Sequence, residues 1–241
     1  MAYTKRFDGR AIDETRPITA KVGIIPRANG SAMFQIGATT AIAAVYGPRE
    51  MHPKFMQNPK GGVLRCHYSM MPFSGHGDRV KPGQNRRAKE ISRVIENSLR
   101  PVVDLTQFPN AVVDVFIELP QTDAGTRCAG ITAAAMALAD AGIDMKDLVA
   151  AVAIGFVDDR VVADLNYNEE NYNDYSDNPD KDRPVADIPI AMLPTTGEVS
   201  LLQMDGKVRR EALKDALQLG ITVCRKINDV QRKALKAKYA E

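Results

Sequence analysis

The chain has 241 residues, of which 44% are hydrophobic, so it can bury a sizeable core as one large domain or two small ones. A formal net charge of +2 excludes a globally basic surface, so any nucleic-acid site must come from local clustering of charge. Cys66, Cys128 and Cys224 lie far apart in apolar surroundings, which favours reduced thiols over a disulfide framework or a zinc site.

The N-terminal segment has no apolar core and no small-residue cleavage site, which argues against a signal peptide. No run of residues approaches the roughly 18 consecutive apolar residues that span a bilayer. We therefore expect a soluble, cytoplasmic protein with no membrane partner.

The first half of the chain is predicted to be strands followed by helices. Short β-branched or alternating runs predict strands over 18–25, 31–36, 39–46 and 63–71. After a Gly- and Lys-rich exposed loop over 75–84, the pattern predicts a helix over 85–99, a strand over 111–119 and a buried, Ala-rich helix over 126–141 that ends at Gly142.

The second half repeats that order. Strands are predicted over 149–157, 160–165, 186–193 and 199–205, a polar surface loop over 168–184, and a long amphipathic helix over 209–238. Strands then helices, twice over, indicate an α+β fold, and we place the boundary between two domains near residue 147, giving 1–147 and 148–241.

Basic side chains cluster around the start of the predicted helix over 85–99. A solvated helix face with charge pairs three or four residues apart is the plain interpretation. Arg87, however, lies four residues before Ile91, on the apolar stripe, where an inward charge is costly unless an anion meets it. Arg86 lies about a third of a turn away and is placed to share that anion or to follow a polymer backbone.

The segment 121–127 connects a predicted strand to the Ala-rich helix. A strand end, Gly125 and a helix N-terminus present unpaired backbone N–H groups, with the Thr126 hydroxyl and the Arg127 guanidinium beside them. This arrangement is typical of a phosphate-binding turn, although the spacing is not that of a P-loop. The alternative is an ordinary helix start with Thr122 or Asp123 as the N-cap.

Acidic residues are concentrated between positions 169 and 187. Six of them fall in the predicted polar loop, where solubility is the usual explanation: Glu169, Glu170, Asp174, Asp177, Asp180 and Asp182. Asp187 differs because apolar strand residues flank it, which favours a hydrogen-bonded structural role, a metal ligand or an acid–base group. Two arginine-bearing anion sites and a carboxylate fit phosphoryl transfer but do not name a substrate.

Eight segments in chain order give the sequence a family resemblance. They are 7–10 (FDGR), 47–50 (GPRE), 68–74 (YSMMPFS), 85–87 (NRR), 123–127 (DAGTR), 186–191 (ADIPIA), 201–206 (LLQMDG) and 231–239 (QRKALKAKY). Together they resemble, over nearly the whole chain, the RNase PH family of phosphorolytic 3′→5′ exoribonucleases, and within it the catalytic subunits of archaeal exosomes.

The resemblance implies the RNase PH fold, which is related to domain 2 of ribosomal protein S5. It implies a hexameric ring in which active subunits alternate with an inactive RNase PH-like paralogue beneath an RNA-binding cap protein. Single-stranded RNA is the implied substrate and inorganic phosphate the co-substrate. Phosphate attacks the last linkage and releases a nucleoside diphosphate, and the reverse reaction polymerises tails.

The resemblance also implies roles for individual residues. Arg86 and Arg87 bind RNA phosphates, and residues 125–127 hold the attacking phosphate. Asp187 is the second of two acidic residues that act as a general acid or bind a divalent metal such as Mg²⁺. The RNA-contacting arginine expected just before Tyr68 is replaced by His67, and Arg65, on the same strand face, is placed to substitute for it.

The first of the two acidic residues is displaced because the loop that carries it is longer here than in the family. Gapless spacing puts it at Glu170, whereas counting back from Asp187 puts it nearest Asp182, which would then share the metal with Asp187. We favour Glu170, because Pro179 and Pro184 restrict the chain around Asp182.

Two other functions stay open at this point. A degenerate ring subunit would bind RNA as a scaffold without cutting it, which the lengthened loop favours and the intact residues 125–127 and Asp187 oppose. A homohexameric RNase PH that trims tRNA 3′ ends is the second alternative, and the segments 47–50 and 68–74 favour the exosome over it.

Overall fold

The computed structural model describes residues 3, 5–76, 80–83, 85–175 and 184–240. The first half contains strands β1 (Ile18–Val22), β2 (Gly30–Ile36), β3 (Thr39–Glu50), β4 (Val63–Met70) and β5 (Ala111–Gln121), a 3₁₀ turn (Lys54–Met56), and helices α1 (Arg86–Leu99) and α2 (Thr126–Asp140). The second half contains β6 (Ala150–Val157), β7 (Arg160–Ala163), β8 (Val185–Met192), β9 (Val199–Leu202), β10 (Asp205–Gly206), the short helices α3 (Tyr167–Glu170) and α4 (Tyr172–Tyr175), and the long helix α5 (Arg210–Tyr239). The α+β class is confirmed.

The first sheet has the strand order β1-β2-β3-β5-β4, and its strands are antiparallel except for the parallel pair β4 and β5. Because these two strands run in the same direction, their C-terminal ends lie side by side, with Met70 opposite Leu119. The segments that follow them stay together, since the Thr122 N–H donates to the Ser74 carbonyl at 2.8 Å. This edge of the sheet carries the candidate site.

The second sheet has the order β10-β8-β6-β7, with β9 paired to β8, and α5 packs across it. Helix α2 lies between the two sheets, in contact with β2, β3 and β6. Its many alanines allow this close packing, and 13 of its 15 residues are buried, as the sequence predicted. One continuous core runs from the first sheet to α5, so the division near residue 147 stays a prediction.

The prediction of a surface loop over 168–184 is wrong in its first part. The chain forms α3 and α4 there, and Glu169 and Tyr172 are buried. Tyr172 packs edge-on against Tyr3, with 5.3 Å between ring centroids, so the N-terminal segment covers these helices. Residues 176–183 lie outside the described part of the chain. Among the described residues, no helix combines the length and the apolar character that are needed to cross a membrane.

Candidate active site

A cavity of about 290 Å³ opens where the ends of β4 and β5 meet the start of α2 and the edge of the second sheet. It brings together residues from both halves of the chain. Its walls hold the predicted phosphate-binding turn, one predicted RNA-binding arginine and two predicted catalytic carboxylates: Gly125, Thr126, Arg127, Arg87, Glu170 and Asp187. Thr122, considered above as an N-cap, also lines the cavity, as do three polar residues that sequence reasoning did not single out: His76, Tyr167 and Asn171.

Within the part of the chain that the structure describes, no side chain caps the start of α2. Its N-cap is Gly125, which has a φ of 64° in the left-handed region that favours glycine. By contrast, the starts of α1 and α3 are capped by the side chains of Asn85 and Asn166. The first N–H groups of a helix have no partner within it, and the helix dipole adds positive potential there, so this end of α2 suits an anion.

The alternative N-caps considered for α2 are therefore wrong, because both side chains are engaged elsewhere. The Thr122 hydroxyl donates to the Ser74 carbonyl at 3.0 Å. The Asp123 carboxylate accepts from the Tyr167 backbone N–H at 2.9 Å and pairs with Arg16 at 3.0 Å. Asp123 thus ties the start of α2 to α3 and leaves the helix end open.

Two arginines face the cavity from different helices. Arg127 is half-buried, and its Nη1 donates to the Gln203 side-chain oxygen at 2.6 Å, which fixes the guanidinium in orientation. Arg87 lies at the start of α1 and is exposed, so the expectation that it points into the apolar stripe is corrected; Ala88 takes that place. Arg86 is exposed and is not part of the cavity lining.

Asp187 lies on β8 and reaches the cavity from the second sheet. Its Oδ1 is buried and has no hydrogen-bond partner among the described residues, which is costly for an ionised carboxylate. Burial, followed by repulsion from Glu170 and Asp205, raises the pKa of Asp187 to about 7, while Arg127 opposes the shift. A carboxyl with this pKa exchanges its proton near neutral pH, as a general acid requires.

Glu170 ends α3 and faces the same cavity. Part of Glu170 is exposed to solvent, but desolvation by its cavity neighbours raises its pKa, and the positive charges of Arg87 and Arg127 act in the opposite direction. The structure thus brings together Glu170 and Asp187, the pair favoured by gapless spacing. Asp182 lies outside the described residues, so its share in the chemistry or in a metal site stays a prediction.

Arg65 and His67 lie on the open face of β4, away from the cavity. They share one strand face, as predicted, because the intervening Cys66 is buried. Arg65 pairs with the buried Asp114 at 2.7 Å, and His67 stacks on Phe116 with ring centroids 4.9 Å apart. Strands rise about 3.3 Å per residue, so these side chains lie roughly 10–16 Å along the strand from Met70, which lines the cavity.

A buried ion-pair network anchors α3 to the N-terminal segment of the chain, and sequence reasoning missed it. The Arg6 guanidinium donates to both carboxylate oxygens of Glu169 at 2.7 Å, and the Tyr3 hydroxyl donates to Oε1 at 2.5 Å. Arg16 binds Asp164 in the same way, at 2.8 and 2.6 Å. The partners are 148 to 166 residues apart in sequence, so no local pattern reveals them.

Comparison with known proteins gives a family match for both halves of the chain. Residues 14–144 match the model described as 3′ exoribonuclease family, domain 1, and residues 147–223 match domain 2 of the same family. The chain is 48% identical to the exosome complex component Rrp41 of Thermococcus kodakarensis over 98% of this chain and 90% of the relative. It is 44% identical to the Rrp41 of Nitrosopumilus maritimus over 98% of this chain and 91% of that protein.

Two solved structures share the fold. Rice (Oryza sativa) Rrp46 matches with a TM-score of 0.80 at 24% identity, covering 95% of this chain and all of that one. The Archaeoglobus fulgidus exosome with RNA bound to the active site matches with a TM-score of 0.76 at 22% identity, covering 94% and 92% of the two chains. The predicted RNase PH fold is therefore confirmed.

Proposed function

The chain belongs to the RNase PH family of 3′ exoribonucleases, and on that premise we propose that it shortens single-stranded RNA by phosphorolysis. One observation carries the proposal: an uncapped helix start and two arginines face two carboxylates across a single cavity. The helix start and the arginines suit a small anionic nucleophile and a polyanionic substrate, and the carboxylates suit proton transfer. Each cycle consumes one phosphate and releases one nucleoside diphosphate; the reverse reaction adds one nucleotide from a diphosphate and releases phosphate.

Inorganic phosphate is bound by residues 125–127. The free N–H groups of α2 and the Arg127 guanidinium, fixed by Gln203, hold the anion beside the last RNA linkage. A phosphate oxygen then attacks the phosphorus of that linkage, and the 3′-oxygen of the preceding nucleotide departs. Positioning and charge neutralisation supply most of the catalysis in such a transfer.

Asp187 supplies the proton that the departing 3′-oxygen needs. In its neutral form the carboxyl donates that proton, and its desolvated position and the neighbouring Glu170 keep a neutral fraction available near pH 7. The proton is regained from solvent after the diphosphate leaves. Glu170 is thus the partner whose negative charge helps to raise the pKa of Asp187.

As the alternative to proton donation by Asp187, the same two carboxylates would hold a divalent metal such as Mg²⁺, because a bound cation would keep Asp187 ionised. Asp187 has a buried oxygen without a partner and Glu170 faces it, while Mg²⁺ commonly binds one or two carboxylates and completes its shell with waters and substrate phosphates. When bound, the ion would neutralise charge on the reacting phosphates. No cluster of three or more His, Cys, Asp or Glu side chains suited to an ion occurs among the described residues.

Basic side chains bind the RNA chain from the cavity wall outward. Arg87 contacts the RNA phosphate nearest the cavity, and Arg86 extends the contact along α1. Arg65 and His67, on the open face of β4, contact RNA nucleotides further upstream. Asp114 holds Arg65 in place for that role. His67 adds a ring stacked on Phe116 and thereby takes the position of the family arginine.

The assembly we propose is a hexameric ring. The relatives are named exosome complex components, which supports membership of such a complex. As the family resemblance implies, this chain would alternate with an inactive RNase PH-like paralogue beneath an RNA-binding cap protein. Mass measurement of the chain alone and with a candidate partner distinguishes this ring from a homohexamer that trims tRNA. A scaffold subunit without activity is distinguished by assay of the assembled ring.

Phosphate dependence is the decisive experiment for the proposed function. With 3′-ended single-stranded RNA, the ring should release nucleoside diphosphates when phosphate is present and nothing when it is absent. Product identity is read by chromatography. Release of nucleoside monophosphates in phosphate-free buffer would show hydrolysis and contradict the proposal.

The two cavity arginines should separate by role. Arg127→Glu should mainly raise the KM for phosphate, because Arg127 is fixed beside the α2 N-terminus. Arg87→Glu should mainly weaken RNA binding and reduce the dependence of binding on salt by about one released ion. Arg93→Glu, on the same helix but outside the cavity lining, is the matched control. Equal defects toward phosphate and RNA in both variants contradict the assignment.

A further inference from the structure

Two aromatic rings line the cavity and have no part in the chemistry proposed above. The ring centroids of His76 and Tyr167 lie 4.8 Å apart with an interplanar angle of 30°, so the rings are stacked. His76 follows β4 and Tyr167 begins α3, so each half of the chain contributes one ring. His76 is exposed and Tyr167 is half-buried, which leaves the pair accessible from the cavity.

Tyr167 is held in a fixed relation to the acidic side of the cavity. Its backbone N–H donates to Asp123 at 2.9 Å, and its carbonyl accepts from the Asn171 side-chain amide at 2.9 Å. Glu170 follows three residues later and therefore lies on the same face of α3 as Tyr167. The ring and the carboxylate line the same cavity as the uncapped start of α2.

We propose that the stacked pair His76–Tyr167 is a platform for the base of the 3′-terminal nucleotide of the RNA. In the reverse direction it would take the base of the incoming nucleoside diphosphate. The proposal rests on the function proposed above, because that function places the last nucleotide between the phosphate-binding turn and the two carboxylates. The polar groups there meet phosphate and ribose, and the rings offer the apolar face that a base needs.

Stacking of this kind accepts any base, because every base has a π-face, and therefore suits an enzyme that removes nucleotides one after another. A larger ring covers more aromatic surface, so purines should be held more tightly than pyrimidines. The platform also fixes the terminal ribose relative to Asp187, since base, sugar and scissile linkage are covalently connected. Its effect is on binding and orientation of the terminal nucleotide.

The test compares RNAs that end in an ordinary adenosine or in an abasic ribose, with phosphate present and loss of full-length RNA measured. The assembled wild-type protein should show a KM about tenfold lower for the base-bearing RNA. Tyr167→Leu and His76→Ala should each remove most of that difference by raising the KM for the base-bearing RNA. Tyr167→Phe keeps the ring and should retain the wild-type ratio.

A binding measurement provides a readout that needs no turnover. Calorimetry with ADP and with ribose 5′-diphosphate should show that the wild type prefers ADP, and Tyr167→Leu should bind the two alike. The KM for phosphate and the thermal melting point of each variant show whether α3 has been disturbed; Tyr167→Phe provides the folded reference.

An ADP preference that survives in both Tyr167→Leu and His76→Ala overturns the platform. Failure of every RNA to yield a diphosphate counts against the proposed function instead, and the ADP comparison still decides the platform on its own.

Discussion

Glu169 and Glu170 are neighbours on one short helix, yet their surroundings are opposite. Glu169 exposes none of its surface, and its two oxygens accept hydrogen bonds from Arg6, Tyr3 and the Asn166 backbone. Glu170 faces the cavity, where desolvation raises its pKa and the nearby arginines oppose that shift. The same residue type is thus a structural anchor at one position and a reactive group at the next.

The two aspartates beside them repeat the contrast. Asp164 is buried and receives three hydrogen bonds from Arg16. Asp187 has a buried oxygen that no described residue hydrogen-bonds, and its pKa is about 7. A buried charge with every lone pair satisfied is tolerated as structure, while a poorly satisfied one shifts its pKa and becomes available for proton transfer. The ion pairs of Glu169 and Asp164 hold α3 and the chain around it. They thereby position Glu170 beside Asp187 at the cavity.

The largest effect should follow from breaking the anchor. Arg6→Met leaves the Glu169 carboxylate buried without its main partner, and we expect the free energy of unfolding to fall by about 3–5 kcal/mol. Denaturant titration measures it. The control is Arg93→Met, which breaks an exposed pair with Glu96 and should change stability by about 0.5 kcal/mol or less. The double variant Arg6→Met, Glu169→Gln should recover part of the loss; similar stability in Arg6→Met and the control would show that the anchor is unimportant.

Asp187→Asn should have a large effect on turnover and none on assembly. Asparagine keeps the shape but has no proton to give, so kcat should fall by about two orders of magnitude or more while the ring still forms. Single-turnover phosphorolysis and ring mass are the two measurements. Wild-type kcat in this variant would remove Asp187 from the mechanism.

Glu170→Gln and Asp182→Asn, assayed side by side, decide the partner of Asp187. Loss of activity in Glu170→Gln alone supports Glu170 as the partner, and loss of activity in Asp182→Asn alone supports Asp182. Full activity in both variants means that Asp187 acts without either carboxylate. The neutral amide introduced by Glu170→Gln no longer repels the Asp187 charge, so the pKa of Asp187 should fall. The alkaline decline of the remaining activity should then move to lower pH, which a pH–rate profile measures.

Much of this arrangement could be predicted because its signals are local. The alanines of α2, the glycine of the turn and the spacing from Leu165 to Glu170 each lie within one short segment. Residues 125–127, Glu170 and Asp187, which these signals predict, line the cavity. The predicted residues Arg86, Arg65 and His67 lie outside the lining, and the lining residues His76, Tyr167 and Asn171 gave no local signal.

The rest depends on contacts between distant segments. A buried charge pair such as Arg6 with Glu169 produces no periodic pattern, so the acidic stretch was interpreted as a solvated loop and α3 was missed. The wrong N-cap has a similar cause, because Asp123 resembles a cap until Arg16 and Tyr167 are found beside it. The many acidic residues predicted that this segment has a charged function. Only the fold shows which carboxylates are held in ion pairs and which face the cavity.

The smallest expected effect concerns the stability of the same unpaired aspartate. The pKa of Asp187 is about 7 in the folded chain and near 3.8 when unfolded, so between these values the folded state binds a proton that the unfolded state has lost. Its contribution to stability therefore falls as pH rises through that window, and the full cost of the buried charge is present above pH 7. An asparagine side chain cannot ionise, so Asp187→Asn should equal the wild type near pH 4 and exceed it at pH 8. We expect a difference of about 1–2 kcal/mol, because solvent screens the partly exposed carboxyl. Unfolding at constant ionic strength without phosphate or metal measures it, and a difference independent of pH would show that Asp187 is not destabilised by its position.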